Sequence, residues 1–167
     1  MEIKLAENSD IAELARIYEE ARSFMRETGN PTQWRRAYPD EATVLSDIAE
    51  KRLYKVVSGE EILGVFCFFV GNEPTYDKIY DGEWGSAAPC GVIHRVAVAS
   101  SARGKGIAST AFAYAAASCP YIRIDTHRDN APMQRALEKF GFLRRGIIYL
   151  QNGDERIAFD FLQKGTI

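Results

Sequence analysis

Long apolar runs, a paired set of cysteines and a basic excess are all missing from this 167-residue chain. No apolar stretch reaches the roughly 18 residues that a membrane span needs, so no partnership with a bilayer is expected. Cys67, Cys90 and Cys119 are odd in number and widely spaced. That fits neither a disulfide framework nor a zinc site, and no metal is expected. The formal net charge is −2, so no global field attracts nucleic acid. The N-terminus carries no signal-peptide pattern, and the chain reads as cytoplasmic. There is no internal repeat and no low-complexity tract. The chain is instead an ordinary globule, 46% hydrophobic and 26% charged, and residues 1–167 are expected to form one domain. That length suffices for one sizeable core.

Periodicity then divides the chain. Residues 2–6 alternate as a short strand, and Asn8 or Ser9 offers a helix cap. Ile11, Leu14, Ala15, Tyr18, Ala21 and Met25 form a helical stripe that Gly29 and Pro31 end. Trp34 reads as a core filler or as the wall of a substrate pocket. Asp40 caps a second helix carrying Val44, Leu45 and Ile48. Residues 53–57 and 62–70 make a hairpin. Residues 71–90 are rich in Gly, Pro, Asp and Tyr, and a helical turn is expected over 76–80. This loop either borders a pocket or is a surface excursion. A buried strand follows over 92–98, then a helix with Ile107, Ala108, Ala111, Phe112 and Ala115 inward, then a strand over 121–126. Asp129 or Asn130 caps a helix with Pro132 in its first turn and Met133, Ala136, Leu137 and Phe140 inward, closed by Gly141. Residues 142–150 and 156–162 form a last hairpin around Asn152-Gly153. The order predicts a mixed α/β sheet with helices on both faces.

The chemistry concentrates between the strand at 92–98 and the helix after it, in Arg103-Gly104-Lys105-Gly106-Ile107-Ala108-Ser109. A strand, a glycine turn and a helix aim backbone N–H groups and the positive helix end at one point, where a phosphate belongs. Gly104 and Gly106 remove side chains where backbone must approach closely. Arg103 and Lys105 add fixed cations. Read alone, Gly104-x-Gly106-x-x-Ser109 is a near match to the dinucleotide fingerprint, with Asp125 about twenty residues on. Against an NAD-binding enzyme stand Ser109 in place of the third glycine, a single βαβ unit, and flanking antiparallel hairpins.

A second context is more specific. Arg103-x-x-Gly106-x-Ala108 resembles the pyrophosphate loop of the GCN5-related N-acetyltransferases, the GNAT superfamily. The run Asn130-x-x-Met133-x-x-Ala136-Leu137-Glu138-Lys139-Phe140-Gly141-Phe142 resembles its second signature. The resemblance covers nearly the whole chain. It implies an acyl-CoA N-acyltransferase fold whose splayed central strands admit acetyl-coenzyme A. The pantetheine arm would lie along Val96, Ala97 and Val98. The pyrophosphate would sit on the N–H groups of Gly104, Lys105, Gly106, Ile107 and Ala108, beside Arg103 and the Ser109 hydroxyl. Asn130 would touch the arm or brace the strands, and Met133 would line the channel or simply pack its helix. The implied reaction is direct acetyl transfer to a small-molecule or peptide amine, and homodimers are common in the family.

The general acid, commonly a tyrosine in the family, is replaced by Leu137, with Tyr149 a substitute donor. The central-strand position that holds a glutamate in some members is Val92. His94, two residues on, shares its face, and an imidazole titrating near 6.5 suits a base. Glu83 and His127 are further candidates. The missing tyrosine also motivates another reading, a CoA-binding regulatory module with little turnover.

Overall fold

The computed structural model describes residues 1–165, so the last two residues of the expected domain lie outside the described range. The strands are β1 (Glu2–Leu5), β2 (Leu53–Ser58), β3 (Glu61–Val70), β4 (Gly91–Val98), β5 (Tyr121–Thr126), β6 (Leu143–Tyr149) and β7 (Glu155–Leu162). The helices are α1 (Ile11–Glu27), α2 (Glu41–Ala49), α3 (Ile107–Ser118) and α4 (Ala131–Phe140). The strands form one sheet in the order β1-β2-β3-β4-β5-β7-β6. Every neighbouring pair is antiparallel except β4 and β5.

Alternation along β3 assigns the faces. Phe66 and Phe68 meet Tyr114 of α3, with ring centroids 6.0 and 6.2 Å apart. Cys67, between them, turns to the opposite side and meets Arg95, which bonds Asp47 of α2. Tyr18 of α1 also reaches Arg95. Helices α1 and α2 therefore cover one face. Helices α3 and α4 cover the other, joined by Phe112 and Phe140 at 5.6 Å.

Helices α2 and α4 begin where capping chemistry places them. Asp40 Oδ1 accepts from Thr43 N at 2.9 Å, and Asn130 Oδ1 accepts from Met133 N at 3.1 Å. The first helix differs from expectation. Asn8 and Ser9 lie inside a 3-10 turn, Asn8–Asp10, and Glu7 is the cap, its N–H donating to Asp10 Oδ2 at 2.8 Å. The carboxylate three residues on reaches back and closes a capping box.

The long loop is also corrected. Its helical turn is Pro74–Tyr76, not 76–80, because the proline opens it. Tyr76 is buried, and Trp84 Nε1 donates to its carbonyl at 2.9 Å. The loop therefore packs onto the sheet and is no free excursion. Farther along, Tyr80 and Ile147 exchange backbone bonds at 2.8 Å each, covering the outer edge of β6 at that point.

Two departures from regular pairing shape β4. Against β3, Cys67 pairs with His94 and Val65 with Ala97, so Phe66 alone faces both Arg95 and Val96. That is a β-bulge. Arg95 sits at φ 52, a costly left-handed conformation for a side-chain-bearing residue. Its guanidinium is held by Asp47, with Nε to Oδ2 at 2.7 Å and Nη2 to Oδ1 at 2.8 Å, while Tyr18 OH donates to its carbonyl at 3.0 Å. Against β5, only Gly91 pairs with Ile122 and Val92 with Arg123. Beyond Val92 the two strands diverge, and the edge of β4 facing β5 is left unpaired.

Candidate active site

The divergence opens a cleft of about 810 Å³. Residues Ile93 to Val96 of β4 and Ile124 to Thr126 of β5 form its two sides. Asn130 and Met133 close it from α4, Trp34 and Tyr38 from the α1–α2 connection, and Glu73 and Thr75 from the long loop. Trp34 is both core and wall, since its ring also packs against Tyr18 at 5.7 Å.

The glycine turn follows the end of β4. Gly104 and Gly106 both adopt φ 77, and nothing lies within 4 Å of where a Cβ would stand on either. The glycines are needed for the left-handed backbone, not for closeness to other parts of the chain, and the space above them is open to a ligand. The first bond of the α3 ladder runs from Thr110 N to Gly106 O. The N–H groups of Gly106, Ile107, Ala108 and Ser109 stand ahead of that ladder, at the positive helix end. Arg103 is exposed and committed to α1, donating to Glu20 O at 3.0 Å with its guanidinium 4.2 Å from the Phe24 ring centroid. It pins the turn to α1. Lys105 and Ser109 are exposed. The unpaired β4 edge and this turn together fit a ligand with an extended amide arm and a diphosphate.

Other anticipated cofactor residues divide. Val96 lines the cleft, whereas Ala97 turns into the core. Val98 is half-buried at the end of β4. Met133 both packs on the core and lines the cleft. Asn130 braces the two sides, its Nδ2 donating to Gln33 Oε1 at 2.9 Å, an oxygen that also accepts from Asn30 Nδ2 at 2.8 Å.

His94 faces the cleft with Nε2 3.0 Å from Glu73 Oε2. The bond from His94, with help from Thr75 and against burial, holds the Glu73 carboxyl down at about 2. An ionised carboxylate only accepts, so the shared hydrogen belongs to Nε2. In the neutral imidazole, Nδ1 then carries the lone pair. Sequence reasoning missed Glu73, which no motif marks. Its one local signal is the turn it opens, with Oε1 accepting from Thr75 Oγ1 at 2.9 Å.

The remaining candidates do not gather here. Glu83 is exposed and absent from the cleft wall. Closeness to β4 in sequence is undone because Trp84 is tied to Tyr76. Tyr149 is 45% exposed, on edge strand β6, and rests against Tyr80 at 5.3 Å. It does not reach the cleft either. Leu137 is fully buried and offers no proton. His127 is locked, its Nδ1 accepting from Asp129 N at 3.0 Å and its Nε2 3.2 Å from Thr32 Oγ1. Burial, then the charge of Arg156, pushes its pKa down. Burial pushes the Cys90 thiol up, away from nucleophilic use. Among the described residues no group of three or more His, Cys, Asp or Glu is placed to hold a metal ion, and no helix is long and apolar enough to cross a membrane.

An open mixed sheet, split between two parallel strands beside a glycine turn, defines the acyltransferase fold. The sequence pattern of the Acetyltransferase (GNAT) family matches residues 12–142, and the chain belongs to that family of acetyl-CoA-dependent enzymes. Solved structures agree. A GNAT-family acetyltransferase from Streptococcus agalactiae is 28% identical, with 98% of this chain and 95% of that one covered and a TM-score of 0.90. A putative acetyltransferase from Staphylococcus aureus is 25% identical over 97% and 99% of the two chains, with a TM-score of 0.69. The fold alone is shared with the ribosomal-protein-S18-alanine N-acetyltransferase of Escherichia coli, 14% identical over 99% and 96%, with a TM-score of 0.64. No curated protein matches the chain. The dinucleotide reading falls with this. The sheet is largely antiparallel, and Asp125, its expected ribose ligand, accepts instead from Tyr76 OH at 2.6 Å.

Proposed function

We propose that this protein moves an acetyl group directly from acetyl-coenzyme A to an amine of a small molecule or peptide, with His94 as general base and Glu73 as its positioning residue. The observation that carries the reading is the His94–Glu73 pair, set in the wall of the cleft that the splayed strands open. Acetyl-coenzyme A supplies a thioester carbonyl at which the amine nitrogen forms the new C–N bond while the C–S bond breaks and the thiolate leaves with its electron pair. The amine must shed a proton to attack, and Nδ1 of His94 receives it. Glu73 fixes the tautomer and steadies the imidazolium, as a carboxylate does behind a catalytic histidine. The bulge at Arg95–Val96 frees backbone donors for the carbonyl oxygen. A thiol titrates near 8.5, so its departure needs no acid at Leu137.

The unpaired edge from Ile93 to Val98 supports an arm laid down as an added strand. The N–H groups of Gly106 to Ser109 support the diphosphate, whereas that of Lys105, expected to join them, donates to Ala102 O at 3.2 Å. All seven strands share one sheet, which supports a single acetyltransferase domain. We place it in the cytoplasm, as monomer or homodimer.

The test is a thermal shift with acetyl-coenzyme A followed by turnover of an amine panel. Acetyl-coenzyme A should raise the Tm, and His94→Ala should lower kcat about 10²–10⁴-fold. Unchanged turnover in His94→Ala removes histidine from the role. Buried Leu137 favours a second reading, a CoA-holding module. A thermal shift without turnover of any amine selects it.

A further inference from the structure

One buried cation of the cleft has no part in the chemistry above. Arg156, near the start of β7, is 5% exposed and lines the cleft. Its Nη1 donates to Glu155 O at 2.9 Å and its Nη2 to Gln33 O at 3.1 Å. Neither acceptor carries a formal charge. The carboxylate facing it, Asp125, keeps Oδ1 4.0 Å from Nε, beyond hydrogen-bond reach. Asp125 is engaged elsewhere, through the Tyr76 hydroxyl at 2.6 Å. A guanidinium presents five donors in a planar fork, and the two bonds to carbonyls leave most of that fork open. A buried charge so loosely compensated is costly unless a partner completes it. Burial accordingly pushes its pKa down, with Asp125 and then Asp154 only partly opposing.

The other cleft arginines differ. Arg95 and Arg52 both bond Asp47. Arg35 is more than half exposed. Arg156 is thus the buried cation whose anion stands off.

Its position relative to His94 is fixed by Tyr76. The Tyr76 ring lies 6.0 Å from the His94 ring, and its hydroxyl bonds the carboxylate that faces Arg156. On β7, Arg156 shares a face with Ala158, which pairs with Asp125. The cleft therefore carries His94, Asp125 and Arg156, tied together from behind by buried Tyr76. It offers a base at one end, a cation at the other, and a carboxylate between.

Resting on the acetyltransferase reading, we infer that the acceptor is a small amine that also bears a carboxylate, a free amino acid in chemical class. Its carboxylate binds the open fork of Arg156, and its amine, drawn as an ammonium by Asp125 and Glu73, is presented to His94. A single guanidinium beside Asp125 suits a monoanion better than a phosphate dianion, which would leave excess negative charge in a half-closed site.

The experiment compares two acceptor series on the unmodified enzyme with acetyl-coenzyme A: the twenty free L-amino acids and their α-amides. The amides keep each side chain and lose only the anion. Their amines are less basic and more often neutral, so chemistry alone favours them. The inference expects kcat/KM for at least one amino acid to exceed that of its amide by about a hundredfold. It also expects Arg156→Gln to compress that ratio toward one, mainly through KM. Should Arg156→Gln fail to fold, the two series on the unmodified enzyme still decide. Amides turned over as well as acids, or acetyl-coenzyme A bound with no amino acid acetylated, overturns the inference and leaves cofactor binding standing. Failure to bind acetyl-coenzyme A overturns the acetyltransferase reading itself, and the acceptor with it.

Discussion

Asp47 lies on a helix remote in sequence from β4, yet the shape of β4 depends on it. It is 1% exposed and accepts from Arg52 Nε at 3.0 Å as well as twice from Arg95. Removing it strands Arg95, which sits in a left-handed backbone, and leaves Arg52 with Glu50 alone, at 2.8 Å. Asp47→Ala should therefore lower unfolding free energy by about 3–5 kcal/mol in urea titration, the loss seen when one member of a buried ion pair is deleted. A change below about 1 kcal/mol would show that the bulge holds itself. Glu73 gives a different signature. Its folded pKa, about 2, lies below the ordinary 4.5, chiefly through the bond from His94. A depressed carboxyl contributes stability that is fully present above the unfolded value and is lost as pH falls through the folded one. The window is therefore about pH 4.5 down to 2. Glu73→Gln should be less stable than wild type near neutrality, and the gap in Tm should narrow as pH falls from about 6 to 3. A gap constant across that range would place the loss in packing instead.

At the scale of elements, β3 and α3 meet at a point that only glycine allows. A Cβ on Gly64 would stand 2.5 Å from Ile107 Cγ2 and 3.1 Å from Ala97 O. Ile107 opens α3, so Gly64 sets how closely the anion-facing helix end approaches the sheet. Gly64→Ala should cost about 1–3 kcal/mol by overpacking. It should also weaken acetyl-coenzyme A binding, measured by calorimetry. Unchanged affinity would mean that the turn floats free of its helix. The sequence shows the helix stripes, the caps at Asp40 and Asn130 and the glycine turn, because each is written in near neighbours. Gly64, Glu73 and the Arg95–Asp47 clamp were not legible, because each is defined by what lies across from it. Glu73 is 21 residues from His94, and Asp47 is 48 from Arg95. Within one loop, closeness to β4 favoured Glu83, while the turn at Pro74–Tyr76 carried Glu73 to the histidine.

At the scale of the whole molecule, the sheet is two halves, β1 to β4 and β5-β7-β6, joined directly by two residue pairs. The α1–α2 connection straps them together. Gln33 accepts from Asn130 through its side chain and from Arg156 through its carbonyl, and Thr32 meets His127. These are a few polar bonds spanning an open cleft, while on the α3–α4 face Phe112 packs on Phe140 and Phe142 across the halves, so opening is cheapest on the cleft side. A ligand lying along β4 adds backbone bonds where the strand has none, and it closes the same gap that the strap spans. At a hundredfold excess over Kd, acetyl-coenzyme A adds about 2.7 kcal/mol, a rise in Tm of about 5–10 °C for a chain of this length. Hydrogen exchange locates that gain. Amides of residues 93–98 and of the turn at 104–109 should slow on adding acetyl-coenzyme A, and those of β1 and β2, paired already, should not. Slowing spread evenly over all strands would instead mean that the halves already open together as one unit, and that the gap between β4 and β5 is no seam at all.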